Sequence, residues 1–456
     1  MQEYDVMVIG AGGGMKVALP VADMGKSVVL IEKDRLGGTC LNRGCIPSKM
    51  LIYPADFARE CREAARLDLD VGFRDVRFRE LIDRIASTVD GIAAGLRRQI
   101  DEHPRLDLVR GRAVFTGPRE VEVGGERIRA ERVFIVAGSR PRIPPVPGLE
   151  ETPYWTSPEA LRAPGLPRRL VVVGGGFIAC ELGNAYSSFG SRVDFIAPDG
   201  LIDRQDDDVR AEFKRIFTRF NTVREGARLE RVEYRAGTFV SRVRAPGAGE
   251  EILESDSLLV AAGVVPDIAD LHLERTGVEL DERGFIAVDG FLRTRAPGVY
   301  AFGDCIGHYL FRHSVNFEGE YLVRTVFGGD DRPIRYYPVP SALFSWPEVA
   351  GVGKSEKELR AEGVEYVAGK AMYAESNAGL ARQVDHGFVK ILVARSDRRI
   401  LGAQIVGPEA SDMIHILIGM MYMQAGLDDL NRMIYIHPAL PELVRDAARA
   451  AEAALA

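Results

Sequence analysis

The sequence predicts an α/β chain: two open-sheet, Rossmann-like domains followed by a C-terminal α+β domain. Three observations point there. A buried-strand pattern runs into a glycine-rich turn near the N-terminus, the same order of features begins again at Arg169, and beyond residue 337 strand-like runs precede a helix. The length of 456 residues also exceeds one ordinary core and suggests about three domains.

The segment Tyr4-Asp-Val-Met-Val-Ile-Gly10 reads as a buried parallel strand, and Gly10-Ala-Gly-Gly-Gly14 as the turn after it. A short helix and a second apolar run, Ser27-Val-Val-Leu-Ile31, follow, closed by Glu32. This is a βαβ unit with an acid roughly 20 residues past the glycines, in which a helix N-terminus carries a pyrophosphate and a carboxylate holds a ribose. Met15 stands where a third glycine would pack helix on strand, and Pro20 lies inside the expected helix. Gly10, Gly12 and Glu32 are untouched by either departure. From Ile52 to His103 the pattern is helical, with Ile82, Ile85, Val89, Ile92 and Leu96 on one face, read as helix packing.

The run Arg169-Leu-Val-Val-Val-Gly174-Gly-Gly176-Phe-Ile-Ala179 repeats strand, turn and helix, with Ala179 in the small third position. One such pattern is weak evidence; two in one chain imply two dinucleotides. Phe134-Ile-Val-Ala-Gly-Ser-Arg-Pro141 and Leu258-Leu-Val-Ala-Ala-Gly-Val-Val-Pro266 each look like a strand ending in a Gly-x-x-Pro turn. An internal duplication is the simplest reading. Further on, 387–393 and 400–406 read as strands and 412–425 as an apolar helix, whose Met413, Met420, Met421 and Met423 are assigned to core or subunit interface.

Composition narrows the classes. Hydrophobic and charged fractions of 46% and 27% suit a globular enzyme, and a net charge of −7 with both signs interspersed leaves no basic footprint for nucleic acid. The start of the chain lacks the basic and apolar runs of a signal peptide, and the longest apolar stretch, 414–427, is short and contains His415. No membrane partner is expected, and the expected compartment is the cytoplasm. Five cysteines are too few for a secreted disulfide framework; Cys61, Cys180 and Cys305 have no partner at informative spacing and read as small buried residues.

The other two stand in Leu36-Gly-Gly-Thr-Cys40-Leu-Asn-Arg-Gly-Cys45-Ile-Pro-Ser-Lys49. Pro47 suits the first turn of a helix, and a thiol at a helix N-terminus feels the positive end of the dipole, which favours the thiolate that attacks disulfides. A metal-ligand pair or two unrelated buried cysteines are the alternatives. No second ligand pair occurs elsewhere in the chain, and no metal site is expected.

This stretch resembles the signature of the class I FAD-dependent pyridine nucleotide-disulfide oxidoreductases, the family of dihydrolipoamide dehydrogenase and of glutathione, mycothione and mercuric reductases. The similarity recurs in several motifs over nearly the whole chain. It implies FAD and NAD or NADP as cofactors, with electrons relayed between nicotinamide, flavin, the Cys40–Cys45 disulfide and a dithiol or disulfide substrate. By that resemblance Gly10, Gly12 and Glu32 hold the adenosine diphosphate half of FAD, and Gly13, Gly14, Lys33, Gly38, Thr39, Ala113, Gly138 and Ser139 belong to the same site. Asp304, in Val299-Tyr-Ala-Phe-Gly-Asp304, binds the ribityl chain, and Leu310, Phe311, Arg312 and His313 begin a helix facing the flavin pyrimidine. Lys49 lies near flavin N5, paired with Glu181. Cys40 exchanges with substrate and Cys45 faces the flavin. His437, in Ile436-His-Pro-Ala-Leu-Pro-Glu442, is the acid/base oriented by Glu442.

Gly174, Gly176, Phe177, Ile178, Glu181, Ala197 and Gly263 fall to the nicotinamide. The family further implies a homodimer in which the histidine of one subunit completes the disulfide site of the other. The corresponding domains are 1–148 (FAD-binding, first part), 149–268 (NAD(P)-binding), 269–336 (FAD-binding and central, second part) and 337–456 (dimerisation).

Two features stay open. Ala197 occupies the place where NAD-dependent members carry a glutamate, while Pro198 is not the arginine of NADPH-dependent members and Arg204 falls where their second one lies. The Cys-Leu-Asn-x-Gly-Cys-Ile-Pro-Ser-Lys form is typical of dihydrolipoamide dehydrogenases, whereas the altered first glycine motif, Ala197 and His-Pro-Ala-Leu-Pro-Glu are mycothione reductase-like. The expected function is that of a dihydrolipoamide dehydrogenase-like enzyme. An NADPH-dependent reductase of a low-molecular-weight disulfide is the alternative, and a non-catalytic flavin-bound scaffold is the reading from another class.

Overall fold

A computed structural model describes residues 1–247, 249–336 and 338–456; Tyr337, where the sequence reading starts its last domain, lies outside the described residues. The largest sheet has seven strands. Gln2–Ile9 lies at its centre, parallel to Val28–Glu32 on one side and Glu126–Ile135 on the other, with Ile9 level with both Ile31 and Ile135. Val6 to Ile9 and Val28 to Glu32 are buried throughout, as expected of parallel strands covered on both faces. Helix Met15–Asp23 runs between them with Pro20 inside it, and buries Val17, Ala18, Val21 and Ala22. Val299–Ala301 returns to the same sheet beside Glu126–Ile135, so the second glycine unit is an insertion between strands of the first.

That second unit is an all-parallel four-stranded sheet, ordered Thr222–Glu225, Arg192–Ala197, Arg169–Val173, Ser257–Val260. The duplication has one outcome that differs from the expectation. The two Gly-x-x-Pro segments are not simple turns; Ser139–Pro141 and Val264–Pro266 are short strands that pair antiparallel with each other. Gly138 (φ +73°) and Gly263 (φ +101°) turn the chain into them, and each Pro ends its strand, where no further ladder donor is needed.

The helical region divides into Cys45–Arg62 and Phe78–Asp101. Ile82, Ile85 and Val89 are buried and Leu96 is packed against the core, but Ile92 is 44% exposed, so the apolar stripe outruns what one chain covers. The C-terminal part is a five-stranded antiparallel sheet, in which Phe388–Ala394 and Ile400–Val406 are central, covered by helices Ala410–Tyr422 and Glu442–Leu455. Met413 and Met421 enter its core and Met420 packs against it, whereas Met423 is 81% exposed. Lys390 on the central strand is 1% exposed, and its ammonium meets Asp206, Glu356 at 3.0 Å and Asp208 at 3.4 Å. Asp206 caps helix Asp207–Phe217 of the second glycine unit, so this ion cluster ties that unit to the C-terminal sheet. No helix among the described residues is long and apolar enough to cross a membrane.

Candidate active site

Cys40 lies in the short helix Gly38–Arg43, and Cys45 opens helix Cys45–Arg62. Gly44 separates the two helices at φ −138° and ψ −120°, and a side chain would be tight there: a Cβ would lie 3.0 Å from the Thr39 carbonyl oxygen. The bend brings the two thiols together. The Cys45 thiol and backbone N–H both donate to Cys40 Sγ, and with the charges of Arg312 and Lys49 they outweigh burial and bring the Cys40 thiol down to about 7. Cys45 is pushed up, since its thiol donates to Cys40 and burial disfavours a second charge. The thiolate expected at the helix N-terminus therefore falls to Cys40: Lys49 favours charge on either sulfur, whereas the Cys45 hydrogen bonds and Arg312 favour it on Cys40. Of the remaining cysteines, Cys180 and Cys305 are buried, but Cys61 is only half-buried.

One turn beyond Cys45, Lys49 Nζ donates to both oxygens of Glu181, at 2.9 and 2.8 Å. Glu181 stands on helix Phe177–Phe189, the helix that follows the second glycine turn. Burial pushes its carboxyl up, opposed by Lys49 and by the Phe344 N–H, which donates at 3.1 Å. The Lys49 ammonium also lies 4.4 Å from the centre of the Phe344 ring.

A cavity of about 600 Å³ runs from the first glycine turn to the cysteines. Gly10, Gly12, Gly13, Glu32, Lys33, Gly38, Thr39, Ala113, Gly138, Ser139 and Asp304 line it, together with Leu310, Phe311, Arg312, Lys49, both cysteines, Phe177, Ile178 and Glu181. Gly10 takes φ +109°, and a Cβ there would fall 2.3 Å from the Val136 carbonyl oxygen. Gly174 repeats both features, at φ +133° and 2.3 Å from the Ala261 carbonyl oxygen. Glu32 Oε2 accepts the Ala11 N–H at 2.7 Å, which fixes the acid at the lip of the turn. Asp304 accepts from Ser139 Oγ at 2.6 Å, and burial holds its carboxyl up. An elongated cradle with close-approach glycines, backbone donors and buried acids fits the residues to FAD.

Some expected residues fall elsewhere. Gly14 lies beneath the turn, where a Cβ would strike the Gly10 carbonyl oxygen at 2.1 Å. The helix expected from Leu310 begins at Arg312, after extended backbone at Phe311. His313 bonds the Pro340 carbonyl oxygen at 2.9 Å and lines a second, open groove of about 1010 Å³. That groove reaches Cys45 past Ile46, Met50, Tyr53, Phe317 and Tyr422. Lys33 pairs with Asp267 at 2.7 Å, a cavity residue the motifs did not single out because its partner lies far along the chain. At the second turn Gly176 faces open space, Gly263 lies near Arg142, Arg204 is exposed, and Ala197 ends its strand fully buried.

His437 lines neither space. Its Nδ1 lies 3.1 Å from each oxygen of Glu442, and the ring is 63% exposed. Glu442 is held below the usual carboxylate range by the Ala439 N–H and then by His437. An ionised Glu442 makes Nδ1 the protonated nitrogen and leaves Nε2 free to take a proton.

Two dinucleotide-type turns, a cysteine pair with one thiol near neutrality and a histidine–carboxylate dyad define a flavin- and nicotinamide-dependent thiol–disulfide oxidoreductase. Residues 4–320 match the pyridine nucleotide-disulphide oxidoreductase family and 339–448 its dimerisation domain. The chain belongs to that family and takes its cofactors, FAD and a nicotinamide nucleotide. It is 33% identical to a dihydrolipoyl dehydrogenase of Vibrio cholerae (98% of this chain, 95% of that one). A mycothione reductase of Mycobacterium tuberculosis is equally similar, at 33% identity over 98% and 99% of the two chains. A mercuric reductase of Acidithiobacillus ferrooxidans is 34% identical over 91% of this chain and 76% of its own. In structure the chain resembles the HOCl-induced flavoprotein disulfide reductase of Escherichia coli, with a TM-score of 0.87, 28% identity and coverage of 98% and 99%. The dimerisation domain is in keeping with a homodimer.

Proposed function

We propose that this oxidoreductase oxidises a dihydrolipoyl-type dithiol. The observation that carries the reading is the groove of about 1010 Å³ leading to Cys45, whose aliphatic and aromatic walls suit a dithiol borne on a hydrocarbon chain. A substrate thiolate attacks Cys40 Sγ, the Cys40–Cys45 bond breaks and Cys45 leaves as thiolate. The second substrate thiol then attacks the substrate sulfur of the mixed disulfide, releasing Cys40 and a cyclic disulfide. Two electrons have passed to the cysteines. When bound, FAD supplies the two-electron carrier between this pair and the nicotinamide. His437 of a second copy takes the substrate thiol proton at Nε2, and Glu442 stabilises the imidazolium. Lys49 and Glu181 fix a charge beside the flavin position, and Gly174, Gly176 and Phe177 open the nicotinamide site.

The four-part domain division at 148, 268 and 336 accompanies this proposal, as does a cytoplasmic compartment that keeps the thiols reducible. The test is steady-state oxidation of dihydrolipoamide with NAD⁺ and NADP⁺ side by side. Failure with both by protein that retains FAD overturns the proposal. A second reading, NADPH-dependent reduction of a low-molecular-weight disulfide, is favoured by Ala197, which offers no carboxylate to a ribose 2′-hydroxyl. Rapid flavin reduction by NADPH but not NADH, without dihydrolipoamide oxidation, would select it.

A further inference from the structure

The helices Cys45–Arg62 and Phe177–Phe189 pack along a common seam, and its two ends are explicit. Lys49 meets Glu181 at one end; at the other, Arg59 Nη2 donates to Ser188 Oγ at 3.1 Å and lies 3.4 Å from Ser187 Oγ. Helical spacing supplies the middle. Lys49, Ile52, Asp56 and Arg59 recur three and four residues apart on one helix, and Glu181, Asn184 and Ser188 do so on the other. By this spacing alone, Asp56 and Asn184 are assigned to the intermediate rung.

This rung is polar and unsatisfied. Asn184 is fully buried, and neither its amide nitrogen nor its oxygen has a hydrogen-bond partner. Asp56 Oδ1, Arg59 Nε and Ser345 Oγ have none either. Ser345 follows Phe344, whose N–H holds Glu181. Buried polar groups are almost always satisfied by protein or by ordered water, and a side-chain amide offers four hydrogen-bonding positions.

The charges around Asp56 are Glu348 from the C-terminal domain, Arg59 and Glu60 from its own helix, and Glu181 from the facing one. Three carboxyls, the buried Glu181 and the half-buried Asp56 and Glu348, thus compete for few cations. Glu181 has both Lys49 bonds and the Phe344 N–H, and Glu348 has the Ser411 hydroxyl at 2.6 Å and its N–H at 3.3 Å. Asp56 has the fewest donors.

We propose that Asp56 is a positioning residue for the flavin site: with Asn184 it binds ordered water in the seam, and it leaves Lys49 and the Phe344 N–H to Glu181. Burial, and then Glu348, hold the Asp56 carboxyl up at about 7, in line with this division of charge. The inference rests on the flavin lying beside Lys49.

The test is infrared titration of the FAD-loaded enzyme, combined with the pH dependence of the flavin midpoint potential. A protonated-carboxyl band that disappears with a midpoint near 7 is expected in the wild type, together with a break in potential at the same pH. Burial also holds Glu318 up at about 7, so Asp56→Asn removes one component of the band, read in the difference from wild type, and loses the break. Asn184→Leu, which keeps Asp56 but removes the amide, moves both to higher pH and guards against a poorly folding Asp56 variant. A wild type without the band, a band undiminished in Asp56→Asn, or a break unchanged in that variant overturns the proposal. If instead the band behaves as expected but the wild-type potential shows no break, the positioning role falls. Failure of the wild type to bind FAD would sink the underlying flavin placement separately, since the band is read from the protein.

Discussion

Alkylation of the reduced enzyme measures the division of charge between the two cysteines directly. With Cys40 lowered to about 7, half of it is thiolate at neutral pH. An ordinary thiol of pKa about 8.5 is only about 3% ionised there, which gives Cys40 roughly a sixteenfold advantage. A less basic thiolate is also a weaker nucleophile; a Brønsted slope of about 0.45 over that difference costs about fivefold. The net result is alkylation about threefold faster than a reference thiol at neutral pH, but about fivefold slower in alkali, where both are fully ionised. The crossing of the two rate profiles is the signature. Rates of iodoacetamide labelling, with peptide mapping to confirm Cys40 as the modified site, test it. Lys49→Met and Arg312→Met each remove a charge that lowers Cys40 and move the profile to higher pH. A half-maximal rate at or above pH 8.5, or labelling that falls first on Cys45, refutes the reasoning.

Three other outcomes are expected. Because the Asp56 carboxyl lies at about 7 in the folded chain, against 3.8 as its ordinary value, its stabilising contribution is complete below pH 3.8 and lost as pH rises through 7. Asp56→Asn should therefore gain stability relative to wild type across that window, by up to about 4 kcal/mol in denaturant titrations, and a constant difference at all pH values would contradict this. Lys390→Met leaves Asp208 to Lys370 and Glu356 to Arg360 but strips the cation from the buried Asp206, and should cost about 3–5 kcal/mol, seen as a lower denaturant midpoint for the C-terminal sheet. Glu442→Gln keeps a hydrogen-bond acceptor for His437 but removes the charge behind it; kcat should fall about tenfold or more while FAD content is unchanged, and an unaltered kcat would dismiss the dyad.

Local motifs carried much of the architecture. Both glycine turns, their flanking strands and the C-terminal strand pair follow from periodicity and backbone sterics within short windows, so the expected and observed elements coincide to within a few residues. Lys49 with Glu181, and His437 with Glu442, were named through resemblance to a family rather than by local pattern, and the structure brings each pair into contact. Long-range consequences were less legible. The pairing of Ser139–Pro141 with Val264–Pro266 joins segments that look like independent turns until the sheets orient them. The location of the thiolate depends on the bend at Gly44, which decides whose sulfur receives the hydrogen bonds. Asp56 and Asn184 belong to no motif. The available signal was the polar residue seven positions after Lys49, two helical turns along the same face.

The separation of His437 from the cysteine cavity within one chain has a genetic meaning. If each reaction centre draws Cys40 from one chain and His437 from another, a Cys40→Ser chain and a His437→Gln chain are inactive alone but not together. Random reassociation of equal amounts makes half the dimers mixed, and each mixed dimer rebuilds one of its two centres, restoring roughly a quarter of wild-type activity. Two defective alleles would then complement each other inside a single enzyme molecule, and the fraction recovered would count the chains that share each centre.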